Sequence, residues 1–195
     1  MFKKPTLEAF LATYTHSIEV VRSKKARAIS LRIYIGGQVR LRLPSRMRDS
    51  IAINFLTDRN SWLTEVLDKK RIVREKIVGS SNAKKLENFS NEHYQSHKLA
   101  AQELVESKVS HLNIHNWPVG RISVKQMKTR WGSCSTKTNL NFNYKILFLP
   151  ADLQDYLIIH ELCHLRHHNH SADFWSEVAL MCSDYKTLDK KLRSL

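Results

Sequence analysis

His160-Glu161-Leu162-Cys163-His164 is the stretch that decides how the rest of the sequence is interpreted. Two histidines four residues apart lie on one face of a helix, about one turn from each other, and both can reach one metal ion. The flanking sequence favours a helix from Ala151 to about His167, because Pro150 stands at its start, where the missing N–H costs nothing. We therefore predict a helix that carries metal ligands.

A third ligand is needed, and His170 follows six residues after His164. The frame H-E-x-x-H-x5-H supplies three neutral imidazoles and leaves a fourth position open, as in catalytic zinc sites, whereas structural zinc is usually closed by four cysteine-rich ligands. We predict a Zn²⁺ site of His160, His164 and His170. His167 and His168 compete with His170 for the third place. Asn169, which tolerates left-handed backbone geometry, is expected to make the turn.

Glu161, next to the first histidine, is the predicted general base. Zinc lowers the pKa of a bound water to about 7, and a neighbouring carboxylate can accept its proton during attack on a carbonyl or phosphoryl group. The pattern therefore predicts a zinc-dependent hydrolase. Cys163 and Met181 are interpreted as core residues.

The remaining elements alternate between helix and strand. Ser171 is expected to cap a helix that ends near Cys182. Further predicted elements are a helix over 91–112, strands over 122–127 and 140–144 that form a hairpin or meander, and one or two helices over 49–73 with Trp62 in the core. The polar segment 79–90 is interpreted as a loop, which divides the chain into a basic N-terminal region, 1–80, and a hydrolase domain, 81–195.

Positive charge is concentrated near the N-terminus. The net charge is +14, and Val21 to Arg48 contains nine basic residues and no acidic one. Ile29, Leu31, Ile33 and Ile35 alternate with polar residues, Gly36-Gly37 permits a turn, and Val39, Leu41 and Leu43 resume the alternation. This pattern predicts a β-hairpin with one basic face, and a positive field that attracts anionic partners such as nucleic acid, nucleotides or acidic proteins. A solvated surface is the simpler interpretation of the same charge.

The sequence has neither a membrane-spanning run of apolar residues nor a signal peptide pattern, so we expect a cytoplasmic protein without membrane contact. Three cysteines without close pairing are expected to be free thiols.

Several motifs together resemble the YgjP-like metal-dependent hydrolases. They are Lys128 to Ser135 with its W-G-S-C core, Leu140-Asn141, the H-E-L-C-H run, Asn169-His170-Ser171, Phe174-Trp175, and the basic stretch Arg22 to Arg27. The resemblance implies an α+β, zincin-like (minigluzincin) fold, with the H-E-x-x-H helix under a small sheet and an added basic N-terminal part. It also implies a relation to SprT-like and WLM proteases.

Arg130, Trp131 and Ser133 stand in the motif that precedes the metal helix, and we expect them to line the substrate cleft. The alternative is that Trp131 packs in the core and Gly132 only makes a turn. Cys134 could be mistaken for a metal ligand.

Three functions remain open from the sequence. Hydrolysis of a protein or peptide substrate is the usual meaning of the motif. A metal-dependent nucleoside-triphosphate pyrophosphatase is the second, although no Walker-type glycine loop supports it. A nucleic-acid-associated protein with a structural zinc site is the third, and an intact Glu161 argues against it.

Overall fold

The protein is described by a computed structural model for residues 6–14, 16–34 and 37–195, and it has the predicted α+β class. The chain divides into two compact units, Met1–Ile72 and Val73–Leu195, with the division inside one long helix. The proposed domain boundary at residue 80 stays a prediction, because compactness alone does not show which part folds independently.

The first unit contains a three-stranded sheet and its helices. Its elements are α1 (Leu7–Leu11), β1 (Ile18–Ser23), β2 (Ser30–Ile33), β3 (Val39–Pro44), α2 (Asp49–Thr57) and α3 (Asn60–Val78), which continues into the second unit. Strand β3 is central, parallel to β1 and antiparallel to β2. The predicted hairpin is therefore confirmed by the β2–β3 ladder, while Ile35 and Gly36 of its turn lie outside the described residues.

Alternation along β3 separates the core from the polar face of this sheet. Leu41 and Leu43 are fully buried and pack with Leu7, Ala52 and Leu56. The residues between them point to the opposite face, since successive side chains of a strand alternate. The inward side of the hairpin is thus fixed by its aliphatic residues.

The expectation that Trp62 belongs to the core is wrong. Trp62 is 50% exposed. Its neighbour Leu63 is buried, and so is Leu67; both pack against Val39. A side chain one position before a core residue points about 100° away from it on a helix. The i, i+4 pair of leucines therefore decides which face is buried.

The second unit contains the helix with the histidines. Its further elements are α4 (Ser80–Glu87), α5 (Asn91–Leu112), β4 (Ile122–Lys125), β5 (Gly132–Cys134), β6 (Leu140–Asn143), a 3₁₀ helix (Tyr144–Phe148), α6 (Ala151–Cys163), α7 (Ala172–Met181) and α8 (Tyr185–Ser194). Helix α5 has the predicted bounds, and Ser171 caps α7 as predicted. The segment interpreted as a loop is mostly helix, because Ala83 and Leu86 bury one side of α4.

The second sheet has the strand order β4-β6-β5, with β6 parallel to β4 and antiparallel to β5. The outer edge of β4 is covered by Gln102 of α5, whose amide donates to Ile122 O (3.1 Å) and accepts from Val124 N (3.0 Å). Helix α6 packs against β5, which gives the expected helix under a small sheet. Strand β5 is the other edge of this sheet.

Helix α6 is buried on nearly all sides and ends earlier than predicted. It ends at Cys163 rather than near His167, because the amides of Leu165 and His167 turn back to the carbonyls of Leu162 and Cys163. Helix α8 was not predicted, although Leu188, Leu192 and Leu195 at steps of four and three residues form its buried side. None of the helices in the described ranges is long and apolar enough to cross a membrane.

Lys145, in the 3₁₀ helix, is fully buried. Its Nζ donates to Leu86 O and lies 3.3 Å from the centre of the Phe89 ring. Burial, and secondarily the charge of Arg74, lowers the pKa of Lys145 to about 6, while Glu87 opposes the shift. The folded protein therefore holds this amine neutral at neutral pH.

We expect Lys145→Met to flatten the dependence of stability on pH. Between pH 6 and 10.5, the range from the folded to the ordinary lysine pKa, the unfolded chain binds up to one more proton than the folded chain, so the free energy of unfolding rises with pH. This group contributes a slope of at most about 1.4 kcal/mol per pH unit. Urea unfolding at several pH values measures it. Lys190→Met, at an exposed lysine, should keep the slope, and an unchanged slope in Lys145→Met would contradict the assignment.

Candidate metal centre

Three histidines come together where α6 ends and the chain turns toward α7. His160 lies in the last turn of α6, His164 is its C-terminal cap, and His170 precedes the α7 cap. One ring nitrogen from each lies within 4.8 Å of the other two, and Nε2 of His160 is 3.1 Å from Nε2 of His170. Within the described ranges this is the single group of three or more potential metal ligands.

The competing histidines lie outside this group. His167 directs its Nε2 toward Glu177, 3.7 Å away, while His168 is exposed. The backbone O of His167 accepts from Nδ1 of His164 at 2.8 Å, which leaves Nε2 of His164 unprotonated and able to bind a metal. The arrangement thus favours His170 as the third residue of the group.

The turn to His170 is not made by Asn169 in the left-handed region. Among the described residues, the non-glycine positions with positive φ are Asn116 and Thr138. The chain instead leaves α6 through the right-handed conformation of His164 (φ −66°, ψ −15°). Consecutive turn hydrogen bonds therefore replace the left-handed residue that was expected.

His160 is oriented by a chain of hydrogen bonds that the sequence did not predict. Its Nδ1 lies 3.4 Å from the hydroxyl of Tyr156, which donates to Oδ1 of Asp189 at 2.9 Å. Asp189 is held in turn by Arg193 at 2.8 Å. Because Tyr156 precedes His160 by four residues, helical spacing offered a signal, but the partner carboxylate lies in the unpredicted α8.

Aromatic rings surround the three imidazoles. Phe174 is fully buried, stacks on His164 with ring centres 4.5 Å apart, and meets His170 edge-on at 4.8 Å. Trp175 stacks on His170 at 5.6 Å. These contacts restrict the rotation of the rings and exclude water from one side of the group.

The imidazoles of His160 and His164 are held in the neutral form that binds metals. Burial, and secondarily the neighbouring histidines, lowers the pKa of His160 to about 3. Burial also lowers the pKa of His164, although its hydrogen bond to His167 opposes this. At neutral pH both rings therefore offer a lone pair rather than a charge.

Glu161 is 4% exposed, and its Oε2 has no hydrogen-bond partner. Burial raises the pKa of Glu161 to about 8, and the positive charge of Arg130 opposes the shift. A buried carboxylate oxygen without a partner is costly unless a charged or hydrogen-bonding group completes the site. Three convergent imidazole nitrogens, with a buried carboxylate on the residue after His160, match the residues of a catalytic zinc site.

Gly132 allows this carboxylate to approach β5. A Cβ at Gly132 would overlap Oε1 of Glu161 and lie 2.7 Å from its Cδ. The expectation that Gly132 only makes a turn is wrong, because this residue starts a strand. Any side chain larger than that of glycine at position 132 would collide with Glu161 of α6.

The predicted cleft residues have different surroundings. Arg130 is exposed, and its charge acts on Glu161. Trp131 is only 9% exposed, which agrees with core packing, and Ser133 is half-buried beside Asn141. Burial, and secondarily Glu161, raises the pKa of Cys134 to about 11, so this thiol stays protonated and lies outside the group of three histidines.

Comparisons with known proteins agree with this geometry. The sequence model of one family, described as YgjP-like, metallopeptidase domain, matches residues 68–195, so the basic N-terminal stretch lies outside the match. A comparison with curated proteins found no match.

Two crystal structures of metallopeptidase zymogens are similar to this chain. Pyrococcus abyssi abylysin is 24% identical, with a TM-score of 0.39 over 47% of this chain and 90% of that chain. Methanocaldococcus jannaschii jannalysin is 28% identical, with a TM-score of 0.35 over 47% of this chain and 96% of that chain. At these TM-scores the two zymogens do not define the fold of this chain.

We expect Tyr156→Phe to weaken zinc binding by about 10- to 100-fold, the usual cost of losing a group that orients a metal-binding histidine. The variant removes the acceptor for Nδ1–H of His160 but keeps the ring that packs beside it. Competition with a chromophoric chelator measures the affinity. Tyr185→Phe is the control, because no hydrogen bond of its hydroxyl is found within the described ranges; equal affinity of both variants would contradict the prediction.

Gly132→Ala should destabilise the protein by about 1–3 kcal/mol, as overpacking in a core does. The added methyl group overlaps the Glu161 carboxylate, so its cost should fall markedly in a Glu161→Ala background. Urea unfolding of the two single variants and the double variant, all treated with chelator, measures this coupling. An equal cost in both backgrounds would show that the methyl group meets something other than Glu161.

Proposed function

Because the chain belongs to the YgjP-like metallopeptidase family, we propose that it is a zinc-dependent peptidase in which Glu161 is the general base. The observation that supports this most is the buried, unpartnered Oε2 of Glu161, the residue that follows His160, together with the convergence of the imidazoles of His160, His164 and His170. These three histidines are the proposed ligands. The orientation of their rings and the lowered pKa values of His160 and His164 support that role.

Zinc bound there supplies a Lewis acid that polarises a carbonyl and makes a water molecule more acidic. The protein's own contribution is to hold and move the proton. Oε2 of Glu161 accepts a proton from the attacking water and returns it to the leaving amine, as one positioned carboxylate can do in both directions. The close fit against Gly132 fixes the carboxylate for both transfers.

An extended peptide is the substrate shape that this sheet accommodates. Strand β5 pairs with β6 along one side, and the described ranges provide no strand for its other side. A peptide can add to such an edge through backbone hydrogen bonds. Because Gly132 of β5 contacts Glu161, a chain bound along β5 passes close to the proposed base. Arg130 and Ser133 are the proposed polar contacts of that substrate.

The other two functions have less support. A structural zinc site does not require a buried carboxylate with an unpartnered oxygen, and it is usually closed by cysteine ligands. A pyrophosphatase needs several cations around the phosphates. Near the proposed base, Arg130 is the cation whose charge acts on Glu161.

We expect Glu161→Gln to bind zinc like the wild type and to lose at least about 10³-fold in kcat, within the range that general acid–base catalysis provides. An unstructured protein is the substrate, and nucleoside triphosphates are assayed in parallel. Bound zinc is measured on the same samples, because the amide keeps the size of the carboxylate but cannot accept the proton.

Glu103→Gln, at an exposed position of α5, is the matched control and should keep full activity. If the wild type hydrolyses only the triphosphates, and Glu161→Gln does not, the proposed activity would change from peptidase to pyrophosphatase. Zinc bound without turnover of either substrate would contradict the catalytic proposal. Failure to bind zinc would contradict the metal site itself.

A further inference from the structure

Strand pairing in the first unit brings two basic turns to one end of its sheet. Because β1 and β3 run parallel, their last residues, Ser23 and Pro44, are register partners. The chain leaves β1 through the turn 24–29 and leaves β3 through the turn 45–48, and the amide of Ser45 donates to the carbonyl of Ser23 (3.2 Å). Residues that are twenty positions apart in sequence therefore become neighbours.

These two turns carry five exposed cations, here called the basic end. Its members are Lys24, Lys25, Arg27, Arg46 and Arg48. No ion pair joins any of them to a carboxylate in the described ranges, and no Asp or Glu occurs between residues 20 and 48. The basic end is thus a local excess of positive charge rather than a network of alternating charges.

The carboxylates that are nearest in sequence, Glu19 and Asp49, already have partners. Asp49 pairs with Arg22 and also accepts the amide of Leu7 at 2.9 Å. Glu19 binds Arg40 through both of its oxygens, at 2.7 and 2.9 Å. Each of these acids neutralises an arginine outside the basic end, so the five cations keep their charge.

Two more arginines continue the charge along the outer face of the sheet. Arg42 lies beside Ser30 and Val21 in register, and Arg32 lies two residues further along β2. Both are exposed. The positive charge therefore follows a track from the turns onto the sheet, instead of being confined to one point.

We propose that the basic end and this track bind the phosphate backbone of duplex nucleic acid. Five of the seven side chains are arginines, whose planar donors fit phosphate oxygens. A track of cations matches a polymer of regularly spaced phosphates. Neither turn contains an aromatic residue, so the base stacking that supports single-strand binding is not offered there.

The test compares two full-length variants with equal loss of charge. One replaces the five cations of the basic end by Gln. The other replaces five exposed lysines elsewhere by Gln, namely Lys98, Lys125, Lys137, Lys186 and Lys190. Fluorescence anisotropy with a labelled DNA duplex at several salt concentrations gives the affinity and its salt dependence, and thermal melting confirms that both variants fold.

The wild type should bind with an affinity that falls steeply with salt, since each phosphate contact adds about −0.9 to the slope of log K against log salt. The basic-end variant should bind at least about tenfold more weakly with a slope smaller by up to about 4, and the control should stay within about threefold of the wild type. Equal weakening of both variants, or no binding by the wild type, would overturn the proposal. Preference for anionic lipid vesicles over the duplex would overturn it in favour of a membrane surface.

Discussion

The burial of Glu161 is the constraint on which the arrangement of the second unit depends. A carboxylate that is 4% exposed and has one oxygen without a partner is expensive to bury, and burial raises its pKa to about 8 although the charge of Arg130 opposes the shift. A cation beside it favours the ionised form and offsets that cost. Gly132 gives the carboxylate room against β5. The sheet therefore makes room for the buried carboxylate, the helix carries it, and a cation held by the histidines would offset the cost of burying its charge.

Each imidazole is oriented by a different part of the chain. The turn that ends α6 holds His164 through the carbonyl of His167. Helix α8 holds His160 through Asp189 and Tyr156. Stacking on Trp175 positions the ring of His170, which is otherwise exposed. Because no single element orients all three rings, the C-terminal helices are part of the candidate site and not only packing around it.

The spacing of residues in the sequence predicted the features that depend on contacts between residues close together in the chain. Such spacing identified α5, the Ser171 cap, the β2–β3 hairpin and the grouping of His160 with His164. It failed where distant contacts decide the outcome. Trp62 and Leu63 are both large hydrophobic side chains next to each other in sequence, and packing places the leucine in the core. The contact of Gly132 with Glu161, and that of Tyr156 with Asp189, join segments about thirty residues apart, which periodicity does not reveal.

The two units differ in where their notable ionisable groups lie. In the second unit, Lys145 and Glu161 are buried and shifted toward their neutral forms, as expected where desolvation dominates. In the first unit, cations are exposed together, and the two acids that flank the basic stretch in sequence, Glu19 and Asp49, are paired with Arg40 and Arg22. Exposed charges at the surface cost little individually and are screened by salt, so clustering them adds little to stability. Their value lies in the field they create together, which attracts a polyanion from solution.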